Sequence, residues 1–176
     1  MSRDMIKLTP RETQVLKELI KNGRVGDQEI ARRLKTSRPT ILKIRKRLED
    51  KGIIKRYTPE LDLEKLGLNI QAVILYRWKD YSKTKELEDI IKFIKFQPEV
   101  VLFVKGEGVG SKTDLIVSVH ENLKSYEAFI RKVKYKWKDN VENVDVFLSS
   151  IDGIFKNYEL NSPVLNKIEG KVIYSK

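Results

Sequence analysis

Apolar residues recur at helical spacing in three short segments of the first third of the chain. The first segment begins at a Thr9-Pro10-Arg11-Glu12 capping box, with proline in the first turn, and ends near Asn22-Gly23. We expect Asp27 to cap the second helix and Ser37 to cap the third, which Gly52 ends. A short helix, a tight turn and a longer helix predict a helix-turn-helix.

The remaining two thirds alternates strand-like apolar runs with two helical stripes. The strand-like runs are residues 70–78, 100–104, 115–120 and 144–148, and the helical stripes are Leu87, Ile90, Ile91 and Ile94, then Leu123, Tyr126, Ile130, Val133 and Trp137. The order strand-helix-strand-strand-helix-strand is that of a ferredoxin-like domain. The predicted fold class is therefore α+β: an N-terminal helix-turn-helix domain of three helices followed by a ferredoxin-like βαββαβ domain.

The predicted strands are apolar at successive positions, most clearly in Val-Val-Leu-Phe-Val at 100–104. The two helices cover one face of the sheet, so the other apolar face needs a second cover. A second copy of the chain is the simplest one. We therefore expect a homodimer, or a higher even oligomer, held through the sheet domain.

Positive charge is concentrated in the first third of the chain. The 176 residues contain 36 Lys and Arg against 25 Asp and Glu, a net charge of +11, and residues 1–56 hold 17 of the basic and 7 of the acidic side chains. Residues 32–47 carry eight basic side chains and no acid. A patch of one sign attracts polyanions, of which nucleic acid is the usual one, with a merely solvated helix face as the alternative. Together with the helix-turn-helix, it makes double-stranded DNA the expected partner.

The third helix separates an apolar stripe from a basic face. Ile41, Ile44 and Leu48 cluster within about 60° of one another at 100° per residue. The N-terminal part of such a helix enters the major groove, where Lys or Arg reaches guanine acceptors, while the helix start suits phosphate. The predicted DNA-binding residues are Ser37, Arg38, Thr40, Lys43, Lys46 and Arg47, and Ser37 is also the expected cap.

A further set of residues matches the pattern of a known family. The matching residues are Glu29-Ile30-Ala31, Ser37, Arg45, Arg47-Leu48-Glu49, Gly52-Ile53-Ile54, Tyr57, Leu61-Asp62 and Leu66-Gly67. Through them the chain resembles the Lrp/AsnC, or leucine-responsive, family of bacterial and archaeal transcription regulators, over roughly residues 5–158. The resemblance implies a sequence-specific DNA-binding regulator with its helix-turn-helix at Asp27 to Lys46. It also implies a sheet domain that binds an effector and builds dimers or larger rings.

The predicted organisation has four parts. Residues 1–57 form the helix-turn-helix DNA-binding domain, 58–69 a linker, 70–158 the ferredoxin-like effector and oligomerisation domain, and 159–176 a C-terminal extension. The extension runs past the family's usual end. Its Val172-Ile173-Tyr174 is predicted as an added edge strand.

The turn between the two middle strands departs from the family pattern. The family has a short G-x-x-D turn at its amino-acid effector site, whereas residues 106–114 are longer and rich in glycine. Glycine lets the backbone approach a ligand, exposed N–H groups bind a carboxylate, and Asp114 pairs with an ammonium group. The predicted effector residues are Gly106, Gly108, Thr113 and Asp114, for an amino acid or related small metabolite. A plain hairpin in which Asp114 only begins a strand remains open.

Other function classes find little support in the sequence. The chain has no cysteine, a single histidine (His120) and no spacing typical of a catalytic set, so we expect no enzyme, no metal and no cofactor. The longest apolar runs are five residues against the roughly 20 of a membrane span, and we expect a cytoplasmic protein.

Two alternative nucleic-acid functions remain. Gly106-Glu107-Gly108-Val109-Gly110 precedes a strand rather than a helix and is no phosphate loop. The same segment lacks the aromatics of an RNA-recognition motif, which makes RNA binding the weaker alternative. An architectural protein that coats DNA without responding to an effector is the other.

Overall fold

The computed structural model describes residues 7–156 and 161–169. Its helices are, in chain order, α1 (Pro10–Lys21), α2 (Asp27–Arg33), α3 (Arg38–Asp50), α4 (Thr84–Lys95), α5 (Leu123–Trp137) and α6 (Asn161–Glu169), and its strands are β1 (Ile70–Trp78), β2 (Val100–Lys105), β3 (Asp114–His120) and β4 (Val141–Ser150). Within the described residues, no helix is long and apolar enough to cross a membrane. The predicted strand at Val172-Ile173-Tyr174 lies outside these residues.

The chain divides into two compact units, Met1–Glu60 with Tyr158–Lys176, and Leu61–Asn157. The segment predicted as a linker, residues 58–69, is thus split between the two units. From Leu61 onward it belongs to the second unit, where Leu63 O accepts from the Leu68 N–H at 2.9 Å and the Asn69 N–H donates to His120 O at 2.9 Å. These hydrogen bonds fix the segment to the sheet.

Local capping accounts for the helix boundaries in the first unit. The Thr9 N–H donates to Oε2 of Glu12 at 2.8 Å, and the Glu12 N–H donates to Oγ1 of Thr9 at 3.2 Å, so the predicted capping box is formed. The Thr40 N–H donates to Oγ of Ser37 at 3.3 Å, as predicted. The N-cap of α2 is Gly26, however, whose carbonyl accepts from the Ile30 N–H at 3.1 Å, and the Asp27 carboxylate accepts from Arg45 instead of capping the helix.

The core of the first unit is built from the stripes that the sequence predicted. Its buried residues come from α1, α2, α3 and the turn before α2: Val15, Leu16, Leu19, Val25, Ile30, Ala31, Ile41, Ile44 and Leu48. The C-terminal helix α6 belongs to this unit and places Ile168 against the same core. Burial of one face of each helix leaves the opposite face of α3 in solvent.

The second unit is the predicted ferredoxin-like βαββαβ domain. Its four antiparallel strands lie in the order β2-β3-β1-β4, with β3 and β1 in the centre. Alternate residues of β1, namely Ala72, Ile74, Tyr76 and Trp78, are buried in a core shared with α4 and α5. Phe129 joins that core, whereas Leu123 at the first position of α5 is 51% exposed.

The opposite face of the sheet is apolar and open. A row of side chains crosses all four strands at one register: Leu102, Val117, Val73 and Phe147. Phe147 is 65% exposed, and Val104 on β2 is 44% exposed. Within the described residues of the second unit, the two helices cover only the opposite face, as the pattern of the strands predicted.

Candidate nucleic-acid interface

The residues predicted to bind DNA lie at the start of α3 and on its solvent side. Ser37 is the N-cap, and Arg38, Thr40, Lys43, Lys46 and Arg47 are all exposed, whereas Ile41, Ile44 and Leu48 are buried. The Ser37 and Thr40 hydroxyls lie 2.8 Å apart, so each already has a partner. The cap aims the first turn of α3, with its free backbone N–H groups, away from the core.

Several of the eight basic side chains in residues 32–47 are neutralised inside the unit. Arg32 and Arg33 contact the Glu29 carboxylate at 2.7 and 2.8 Å, and Arg33 also contacts Glu18 at 2.8 Å. Hydrogen bonds from Arg32 and then Arg33 lower the pKa of Glu29 to about 2. These two arginines therefore strengthen α2 and its packing on α1 more than they charge the surface.

Arg45 is also committed to the fold. Its Nε lies 2.7 Å from Oδ1 of Asp27, and its Nη2 donates to the Val25 carbonyl at 2.9 Å. The guanidinium lies 5.6 Å from the ring centre of Tyr57. With only 16% of its side chain exposed, Arg45 ties α3 to the start of α2. Its place in the family pattern is thus explained by packing.

Four of the eight remain without a partner among the described residues: Lys35, Arg38, Lys43 and Lys46. All four are exposed, and three of them lie on α3 itself. The unpaired positive charge is therefore gathered in the first nine residues of the recognition helix and the turn before it. This is the part of a helix-turn-helix that reaches base edges and flanking phosphates.

Arg47 has a structural role that sequence reasoning missed. Its Nη1 lies 3.6 Å from Oε1 of Glu12, and Nζ of Lys51 lies 3.1 Å from the same oxygen. The Thr9 N–H, followed by Lys51, lowers the pKa of Glu12 to about 2. Glu12 stays ionised at neutral pH and holds Arg47 toward α1, which makes Arg47 a weaker candidate for base contact than Lys43.

Two further features of the surface escaped the sequence prediction. Leu42 is 56% exposed on α3, beside Lys43 and Lys46, where a side chain can meet a thymine methyl group. Lys55 and Arg56 follow the recognition helix and are exposed, with no acidic partner in the described part of the chain. The sequence could have indicated them, because two adjacent cations directly follow the half-buried pair Ile53-Ile54.

The predicted effector residues line a separate cavity in the sheet unit. Its volume is about 210 Å³, and its wall contains Gly106, Gly108, Thr113 and Asp114 together with Leu75, Val104, Glu107, Lys112 and Leu115. The turn thus brings the four predicted residues together. Apolar side chains from β1, β2 and β3 form the remainder of the wall, except for Glu107 and Lys112.

The glycine N–H groups, however, are used by the turn itself. The Gly106 N–H donates to Thr113 O at 2.8 Å, and the Gly108 N–H donates to Lys112 O at 2.9 Å. The prediction that these groups bind a carboxylate is therefore wrong for this conformation. Asp114 begins β3 and is buried, and its carboxylate accepts from the Thr113 hydroxyl at 2.7 Å. Burial raises the pKa of Asp114 above its ordinary value.

Lys112, which also lines this cavity, is paired with β4. Its side chain is 9% exposed, and Nζ lies 2.9 Å from Oδ2 of Asp145 and donates to the Asn143 carbonyl. The inserted turn is thereby tied to β4. Nothing in the local sequence indicated this pairing, because the two partners are more than 30 residues apart.

A basic helix-turn-helix joined to a ferredoxin-like sheet unit defines a class of DNA-binding regulators, and the comparisons agree. Residues 8–55 match the model of the winged helix-turn-helix DNA-binding family. The chain is 30% identical over 129 residues, covering 72% of this chain and 84% of the relative, to the HTH-type transcriptional regulator LrpC of Bacillus subtilis. It belongs to the Lrp/AsnC family of DNA-binding transcriptional regulators.

Solved structures share the fold. An AsnC family transcriptional regulator from Agrobacterium tumefaciens superposes with a TM-score of 0.75 at 20% identity, covering 87% of this chain and 96% of its own. The transcriptional regulator NMB0573 from Neisseria meningitidis, in complex with L-Met, superposes with a TM-score of 0.73 at 22% identity, covering 89% and 99%. Both structures therefore have the same fold as this chain.

Proposed function

We propose that this regulator recognises specific duplex DNA sites with the exposed side of α3, from its N-terminus to Lys46. The observation that supports this most strongly is the separation of charges on that helix. Arg45 is neutralised inside the unit, whereas Arg38, Lys43 and Lys46 are exposed and unpaired among the described residues. On a helix face that is merely solvated, the unpaired cations would not be expected to lie toward the N-terminal end, which is the end that enters the DNA major groove.

Each exposed residue has a distinct proposed role. Lys43 and Lys46 reach guanine O6 and N7 in the major groove. Ser37 and Arg38 meet phosphate at the helix start, and Thr40 contacts a base edge or a phosphate. Arg47, which lies near the Glu12 carboxylate, contributes chiefly to the positive electrostatic potential around the helix.

A binding-site selection with purified protein, followed by footprinting, tests this proposal. We expect one preferred site and an affinity that falls steeply with salt, because each phosphate contact contributes about −0.9 to the log–log slope. A footprint that spreads without sequence preference would instead identify an architectural protein. Tighter binding to single-stranded RNA than to duplex DNA would also overturn the proposal.

We propose further that two copies associate through the open face of the sheet. That face carries Leu102, Val117, Val73 and Phe147 in one row across four strands. Exposing an apolar row of this kind to water is unfavourable. When two copies related by a two-fold axis pack these faces together, each face covers the other. A dimer presents two recognition helices, so the preferred site is a near-palindrome with half-sites about one helical turn, or a multiple, apart.

The effector proposal is an amino acid or related small metabolite at the cavity around the 106–114 turn. The wall of the cavity of about 210 Å³ contains Asp114, whose carboxylate is buried. The ammonium group of an amino acid is complementary to that carboxylate. The L-Met complex of the Neisseria meningitidis regulator, which shares the fold, supports a ligand of this size.

A thermal-shift screen of the twenty amino acids tests the effector. A ligand that binds the folded chain alone raises the melting temperature by mass action. We expect at least one amino acid to do so at millimolar concentration, and Asp114→Asn to reduce that rise. If no amino acid gives a rise, or if Asp114→Asn keeps the full rise, the turn is a structural hairpin.

A further inference from the structure

The two helices that cover the sheet differ sharply in charge. α4 carries three lysines and three acidic residues, whereas α5 carries five basic residues and one glutamate. Both helices bury one face on the same core and expose the other. Solubility therefore does not explain the charge of α5, because α4 meets the same requirement with balanced charges.

Three of the five basic residues of α5 lie on its outer side. Its buried residues are Tyr126, Phe129, Ile130, Val133 and Trp137. At 100° per residue, Lys124, Arg131 and Lys132 lie within about 100° of one another on the opposite side, with Tyr135 among them. All are exposed, and Tyr135 is 78% exposed. We call these four residues the α5 surface.

The α5 surface has no acidic partner in the part of the chain that the structure describes. Glu127, the one acid of α5, makes no ion pair there, and Lys132 instead lies 5.8 Å from the ring centre of Phe93. Nearer the end of the helix, Tyr135, Lys136 and Lys138 share a cavity wall with Glu86 and Asp89 of α4, and the two lysines are therefore left out of the surface. In the first unit, by contrast, Arg32 and Arg33 are paired with Glu29.

We propose that the α5 surface is a second binding site for the phosphate backbone of duplex DNA, separate from α3. This rests on the proposed function, since a regulator held on DNA through α3 keeps further phosphates at high local concentration. The α5 surface extends over about 16 Å of helix, a length along which duplex DNA carries roughly nine phosphates. Three unpaired cations and a phenol hydroxyl suit such a row, and they confer no base preference.

Neutralising the α5 surface tests the proposal, with a matched control on α4. One variant carries Lys124→Gln, Arg131→Gln and Lys132→Gln, and the control carries Lys85→Gln, Lys92→Gln and Lys95→Gln, which are likewise exposed. Both lose three charges and alter no core residue. Binding is measured from low to physiological salt on a duplex that extends well beyond the selected site.

We expect the α5 variant to have a log–log salt slope shallower by about 2 to 3, and the α4 control to keep the slope of the unmodified chain. The preference for the selected site over a scrambled one should be unchanged in both. Equal slopes in both variants, or a loss confined to RNA or to an acidic protein, would overturn the proposal. If the unmodified chain selects its site as expected, such a result refutes only the α5 surface and leaves the proposed function intact.

Discussion

Lys43 and Arg45 lie two positions apart on α3, but only Arg45 is paired inside the first unit. The Arg45 guanidinium is held by Asp27 at 2.7 Å and by the Val25 carbonyl at 2.9 Å, with little of it exposed. Lys43 points into solvent and contacts no described residue. At the scale of single residues, burial and pairing decide which cation stabilises the fold and which remains for DNA.

Lys43→Ala and Arg45→Ala should therefore separate binding from stability. We expect Lys43→Ala to weaken binding to the selected site by about 1–3 kcal/mol, with an unchanged melting temperature, because a base contact is lost. Arg45→Ala should destabilise the first unit by about 2–3 kcal/mol, because Asp27 is left without its partner. Fluorescence anisotropy and thermal denaturation measure the two effects. Equal losses for Lys43→Ala on selected and scrambled DNA would make it a phosphate contact.

Glu12 gives the first unit a defined pH dependence. Its folded pKa of about 2 lies below the ordinary 4.5, so its ionisation stabilises the fold above pH 4.5, and this is lost as the pH falls toward 2. We expect Glu12→Gln to be less stable than the unmodified chain at pH 7. Denaturant titrations from pH 7 to pH 2 should show the difference shrinking below pH 4.5. A constant difference over that range would contradict this role.

At the scale of elements, the C-terminal helix α6 is the addition that most changes the first unit. It contacts α1 and brings Ile168 to the core of the helix-turn-helix. Next to it, a cavity of about 490 Å³ is lined by residues of α1, of α6 and of the segment after α3. α6 therefore acts as a partial cover for the outer side of α1.

A chain that stops before residue 158 should be less stable in its first unit. We expect a loss of about 1–2 kcal/mol, because the contacts of Ile168 are lost and the α1 surface under α6 becomes exposed to water. Hydrogen exchange followed by mass spectrometry measures the loss, which should appear in α1 and leave β1 and β3 unchanged. Ile168→Ala in the full chain should reproduce part of the loss. If α1 keeps its protection in both variants, α6 contributes nothing to the unit.

At the scale of the whole molecule, we expect the apolar open face of the sheet to determine assembly. Phe147→Asp places a charge in the apolar row without disturbing the core, because Phe147 is 65% exposed in the single chain. We expect the unmodified chain to sediment as a dimer or higher even oligomer at micromolar concentration, and Phe147→Asp to sediment as a monomer.

Phe96→Asp is the matched control for assembly, since Phe96 is 76% exposed at the end of α4, away from the strands. It should leave the sedimentation coefficient unchanged. A monomer in the unmodified chain would refute the dimer and, with it, the near-palindromic site. Dissociation by both variants would show that a new charge, rather than the sheet face, prevents assembly.

Much of the fold could be predicted because its signals are local. The Thr9 and Glu12 capping box and the cap at Ser37 are formed within three residues of each other. The predicted first strand, 70–78, agrees with β1 at both ends. The apolar period of 2 or 3.6 residues fixes which face of each element is buried. The βαββαβ order and the helix-turn-helix followed from it and are confirmed.

The sequence by itself determined the elements up to β4, the basic domain and the face of α3 that reaches solvent, whereas the helix α6 was not predicted. Only the tertiary structure decided which charges remain free, because ion pairs join residues that the chain keeps far apart. Asp27 meets Arg45, and Glu12 meets Arg47 and Lys51. In the same way Lys112 reaches Asp145, and the Gly106 N–H is used by Thr113. No period in the sequence records these contacts, since they depend on how packed elements bring distant side chains within hydrogen-bonding distance.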